Sequence, residues 1–196
     1  ISGSAATPIT TTAVTVAGGA TLSTINTAAQ TINLVGGALN LGAGTGTTNL
    51  GLDLGTGGAA DLYTTSASAT TANTIRLNLN GLSGFGAGTY TVLSAAGGLS
   101  GATYTLGTLS GSLTGVTLNV VSSPTEVQIN AVASSGDFYW LGSGGTSWAG
   151  ITGVNTNFAT DLAGTQGTIT ANGTPGTGSS VIFSANGQTG STLTTT

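Results

Sequence analysis

The chain has 196 residues with a single Arg, no Lys, five carboxylates and no His, Cys or Met, giving a net charge of −4. Acid–base, nucleophilic and metal chemistry draw mainly on the residue types that are missing, so composition argues for a scaffold or material rather than an enzyme. It also excludes ordinary nucleic-acid binding, which needs a basic patch, and a helical membrane span, which needs about 18 consecutive apolar residues.

In chain order, short runs of alternating apolar and polar β-formers are each closed by a Gly-containing turn. They predict strands at 12–16, 30–35, 38–41, 49–54, 74–80, 88–93, 103–106, 116–121 and 126–132. Period-two alternation sets Leu, Ile and Val on one face of each strand and Thr, Asn or Gly on the other. The aliphatic face, represented by Leu39, Leu41, Leu50, Leu52, Leu54, Leu77 and Leu79, is expected to be buried. No stretch carries a capped 3.6-residue periodicity, so the chain reads as all-β. The 35 Gly and 40 Thr make up over a third of the residues, yet the mean hydropathy of +0.34 and the sustained alternation separate it from a disordered linker.

Gly-rich and Asn-rich turns, together with few aromatics, favour a β-solenoid with a narrow stacked core. A β-sandwich, with donor-strand exchange between subunits, is the alternative. No fixed repeat period is evident. Composition shifts near residue 134, where aromatics begin to cluster. The expected organisation is a β-rich body over 1–133, ending in a strand pair, and the start of a following β unit over 134–196. The first residues, Ile1-Ser2-Gly3, lack a basic leader, so any signal peptide is expected to be absent or already removed.

The stretch Phe138-Tyr139-Trp140-Leu141-Gly142, then Trp148, Asn157-Phe158, and Thr174-Pro175-Gly176 before Val181-Ile182-Phe183 follows a recognisable order. It resembles the autotransporter-associated β-strand repeat proteins, as does Leu52-Asp53-Leu54-Gly55-Thr56-Gly57-Gly58-Ala59 upstream. That resemblance implies an extracellular or cell-surface, bacterial, β-helical passenger without catalysis. Self-secretion through a C-terminal barrel is not among the properties expected from this resemblance.

Few constellations invite chemistry. Asp53 and Asp61 share a Gly-rich stretch and are the candidates for Ca²⁺, which takes about six to eight oxygens, or for the acid pair of a polysaccharide-active enzyme. Their spacing fits neither well, and surface or turn-capping roles are the simpler reading. Arg76, between Ile75 and Leu77, is expected to make a structural pair with a carboxylate or with carbonyls. Tyr139, Trp140 and Trp148 are the candidate sugar-stacking platform, against a local hydrophobic cluster. Asn172-Gly173-Thr174 is a lone glycosylation sequon. Edge strands with almost no charge invite association, so Ile9, Val14, Val16 and Leu193 are candidate assembly residues. The composite expectation has no catalytic residue, cofactor or nucleic-acid partner. It is an extracellular structural protein that polymerises with itself through β edges, the alternative being an adhesin or glycan-binding module.

Overall fold

The computed structural model describes residues 9–142, 148, 151–169 and 173–183. By contact the chain forms two compact units. One holds residues 1–85, 89–111 and 120–130, and the other 86–88, 112–119 and 131–196.

The first unit is a β-solenoid of about three turns. Its strands are β1 (Ile9–Ala17), β2 (Thr21–Ser23), β3 (Thr31–Ala43), β4 (Thr48–Leu54), β5 (Leu62–Thr65), β6 (Thr70–Thr71), β7 (Thr74–Gly81), β8 (Gly88–Ser94) and β9 (Thr103–Gly111). Two further strands, β10 (Val116–Ser122) and β11 (Glu126–Ala133), are divided between the two units, β11 lying mostly in the first. One sheet runs β1-β3-β5-β8-β11-β10, with β6 also on β3; the other runs β2-β4-β7-β9. Each turn of chain thus contributes one strand to each sheet. The rung pairings are parallel. The sandwich alternative does not describe this unit.

Parallel, in-register stacking puts like side chains over like. Leu22, Leu50, Leu77 and Leu106 form one ladder, and Leu52, Leu79 and Leu109 another. On the opposite sheet Ile32, Tyr63 and Leu93 align, as do Val14 with Leu39 and Val16 with Leu41. All seven Leu expected in the core are buried. Burying one such side chain contributes about 1.5–3 kcal/mol, so the interior ladders are the main source of stability. The outward positions stack as well. Asn80 Nδ2 donates to Asp53 Oδ1 (2.6 Å) and Ser110 Oγ pairs with Asn80 Oδ1 (3.1 Å) along three successive rungs.

Rung corners are tight because the next rung lies one strand spacing away, about 4.8 Å. Gly42 (φ +82°) and Gly98 (φ +84°) sit at such corners, where a Cβ would strike the carbonyl oxygens of Ala72 and Ala69. Asn73 takes the left-handed conformation without being glycine (φ 58°). Its Nδ2 donates to the carbonyls of Gly42 and Gly44, each at 2.8 Å, which fixes that corner.

The second unit carries β12 (Asp137–Trp140), β13 (Ile151–Thr152), β14 (Asn155–Ala159), β15 (Gln166–Thr168) and β16 (Ser180–Ile182). Their sheet order is β13-β14-β12-β16, with β15 also on β14. No described helix is long and apolar enough to cross a membrane.

Candidate functional site

Asp53 lies on β4 between Leu52 and Leu54, so strand alternation turns its carboxylate away from the core. It is nevertheless fully buried. The connection from β2 to β3 lies against it, and the Asn26 N–H donates to its Oδ2 at 2.7 Å. Its Oδ1 receives the Asn80 amide already described. Asp61 follows the short 3₁₀ turn Thr56–Gly58 and is also fully buried. Its Oδ1 accepts the Gln30 N–H and its Oδ2 the Asp53 N–H, both at 2.9 Å. The Asp61 N–H returns to the Asp53 carbonyl, again at 2.9 Å.

All four carboxylate oxygens therefore face N–H donors. A cation would meet the positive ends of amide dipoles at each of them, and no group of three or more His, Cys, Asp or Glu side chains gathers among the described residues. One acid is moreover hydrogen-bonded to the main chain of the other, Asp61 Oδ2 accepting the Asp53 N–H. What the two side chains do is tie together main chain that is far apart in sequence: Asn26, Gln30 and Asp53. The structure corrects the expected surface or turn-capping roles: both residues are buried, and each carboxylate accepts hydrogen bonds from neighbouring rungs rather than capping its own turn.

Burial pushes the Asp61 carboxyl up from 3.8 to about 6, opposed by the N–H of Asp53, the Thr24 hydroxyl and the N–H of Gln30, with a small contribution in the raising direction from the Asp53 charge. Tyr63, beside it, is pushed up to about 12 by burial. The Tyr63 hydroxyl and Gln30 Oε1 are buried without a hydrogen-bond partner. The neighbouring Thr24 hydroxyl tempers the Tyr63 shift, but it is directed to the Gly51 carbonyl at 3.1 Å. Sequence reasoning missed this cluster of Thr24, Gln30, Asp61 and Tyr63, because its members come from three different rungs and no local spacing brings them together.

Arg76 is exposed on β7, in register with Asn49 and Thr105. Its stem lies over Gly107, where any Cβ would collide with it.

The aromatic residues of the second unit separate by strand parity. Phe138 and Trp140 share a face of β12 with Phe158 of β14, whereas Tyr139 faces the other way, against Leu141 and Ala159. Trp140 is fully buried, its Nε1 without a partner. Trp148 stacks on it (6.0 Å, 13° between planes) and meets Phe158 edge-on at 5.1 Å. Phe183 lies 6.4 Å from Trp140. Trp148 and Phe183 stay 42% and 49% exposed. Tyr139, Trp140 and Trp148 thus do not make one continuous platform; Trp148 and Phe183 are the exposed rings of this cluster, and Tyr139 is half-buried on the other face.

Of the assembly residues, Val14 and Val16 point into the core at 7% and 6% exposure, and what they offer a partner is limited to a groove beside them. Ile9 opens β1, in register with Ile32. Leu193 and Asn172 lie outside the described residues. Comparison with family models, with curated proteins and with solved structures found no match.

Proposed function

We propose that this chain is a non-catalytic structural protein of the bacterial cell surface or exterior, a β-solenoid segment that associates with itself into a fibre, filament or surface layer. The observation that carries this reading is the use to which its few reactive side chains are put. Asp53 and Asp61 are locked on main-chain and side-chain N–H groups of neighbouring rungs. The outer strand positions offer mainly Thr, Asn, Ser and Gly, with little charge to keep copies apart. The order of residues 138–183 supports the extracellular, autotransporter-like part of the reading through its resemblance to that repeat. Sedimentation velocity and negative-stain electron microscopy test it. Concentration-dependent growth into regular polymers is expected, and a chain that stays monomeric at millimolar concentration would refute it.

The adhesin reading has one observation in its favour, the exposed Trp148 face stacked on a buried Trp140. A ring held this way offers a flat apolar surface to a pyranose. Saturable quenching of Trp emission by a neutral oligosaccharide, abolished in Trp148→Ala, would favour it over the structural role.

A further inference from the structure

Two buried polar atoms of the first unit find no hydrogen-bond partner in the protein, and the two are complementary. Tyr63 Oη carries a proton to donate, whereas Gln30 Oε1 is an amide oxygen that can only accept. Tyr63 is 1% exposed and Gln30 4%, so bulk water does not satisfy either of them. A buried donor or acceptor left alone is costly, and buried polar groups of folded proteins are almost always bonded to protein or to an ordered water.

Both atoms belong to one cluster. Gln30 Nε2 donates to the Thr24 carbonyl at 3.3 Å, and the Gln30 N–H donates to Asp61 Oδ1 at 2.9 Å. The Thr24 hydroxyl stands beside the Asp61 carboxyl and the Tyr63 hydroxyl, while its own proton goes to the Gly51 carbonyl at 3.1 Å. Gln30 lies two residues before Ile32, the register partner of Tyr63, so strand parity sets all three toward the interior, and all three are buried.

Whatever lies between Tyr63 Oη and Gln30 Oε1 must accept from the first, donate to the second and be small. An anion would face the Gln30 oxygen and the Asp61 carboxylate. A Ca²⁺ ion would want about six to eight oxygens, and both Asp61 oxygens are already turned to N–H groups. Water meets each requirement, with the two polar partners that an internal water needs as a minimum. A route to the place exists as well. A groove of about 380 Å³ is lined by Gln30 with its neighbours Ala29 and Thr31, and by Ala60 and Leu62 on either side of Asp61. The cluster thus borders an open groove, through which a small molecule exchanges with solvent while the rungs stay paired.

We propose that one internal water molecule is bound here, accepting a hydrogen bond from Tyr63 Oη and donating one to Gln30 Oε1. Gln30 leads into β3 and Tyr63 lies on β5, the next strand of the sheet, so the water joins two rungs where their side chains make no direct bond. The site stands independently of the self-assembly reading.

Oxygen-17 relaxation dispersion of the solvent tests it, since the method detects long-lived internal waters and is blind to exchanging hydroxyl protons. The wild type is compared with Tyr63→Phe/Gln30→Met, which removes both polar atoms and keeps most of their bulk. The dispersion amplitude should fall by about one water per chain, with the far-UV circular dichroism unchanged. An equal amplitude in a folded double variant overturns the proposal. Should the double variant fail to fold, a high-resolution crystal structure of the wild type decides. A density peak within hydrogen-bond distance of both Tyr63 Oη and Gln30 Oε1 is expected; no peak between them, or a direct bond of the two atoms to each other, overturns it.

Discussion

Asp61 gives the sharpest test of how the solenoid is held together. Its carboxyl titrates near 6 in the folded protein against 3.8 ordinarily, and a shift of one unit corresponds to about 1.36 kcal/mol. A folded-state value above the unfolded one means that the folded protein binds this proton more tightly. Stability from this group is then complete below pH 3.8 and declines as pH rises through 6. The total change is about 3 kcal/mol, of which about 2 kcal/mol falls between pH 4 and pH 7, with the wild type less stable at neutral pH. The charged and titratable groups facing Asp61 are Asp53, whose charge adds to the effect, and Tyr63, which stays neutral over this range. Asp61→Asn removes the titration. It also turns one amide N–H toward a main-chain N–H, a loss of about 1–3 kcal/mol at any pH. Urea unfolding followed by far-UV circular dichroism at half-unit steps from pH 4 to 7.5 would measure both variants. The difference between them should shrink as pH rises, because only the wild type loses stability to the buried charge. A difference independent of pH, or one that widens toward pH 7, would refute the account of Asp61 as a desolvated acid.

Two further outcomes follow from packing. Leu79→Ala, which empties the middle of the Leu52–Leu79–Leu109 ladder, should cost about 2–5 kcal/mol, read as a lower urea midpoint with an unchanged slope, and Leu79→Asp should prevent the first unit from folding. Gly98→Ala should destabilise by more than about 1 kcal/mol, since the residue has positive φ and no space toward the Ala69 carbonyl; thermal denaturation monitored by circular dichroism would show it, and an unchanged midpoint would contradict the corner geometry.

The strands and their buried faces were legible because period-two alternation is a local signal, present within each run such as Asn49–Leu54 or Thr74–Asn80. The period of the solenoid was not. Thr21 faces Asn49, Thr48 faces Ile75 and Thr74 faces Thr103, spacings of 28, 27 and 29 residues. On the other sheet Ile9 faces Ile32, only 23 residues on, and Thr31 faces Leu62, 31 on. Corners absorb insertions as long as the strands above and below still pair, so the repeat survives in space and blurs in sequence. The roles of Asp53 and Asp61 were hidden for a related reason. Their partners, at Asn26, Gln30 and Asn80, are close only after the rungs stack. Tyr139 and Trp140 were read together because they are adjacent, although the alternation used for the strands already assigns them to opposite faces.

Arg76 is the single position in the chain at which trypsin can cut. It lies within β7, which is paired on one side with β4 and on the other with β9. A protease needs extended, unpaired chain at the cut, so cleavage after Arg76 requires β7 to leave both neighbours. Fraying of loops or ends does not achieve that. The rate of this one cut therefore reports the opening of the solenoid interior itself, and the protein carries its own probe of rung separation, with two fragments as the readout.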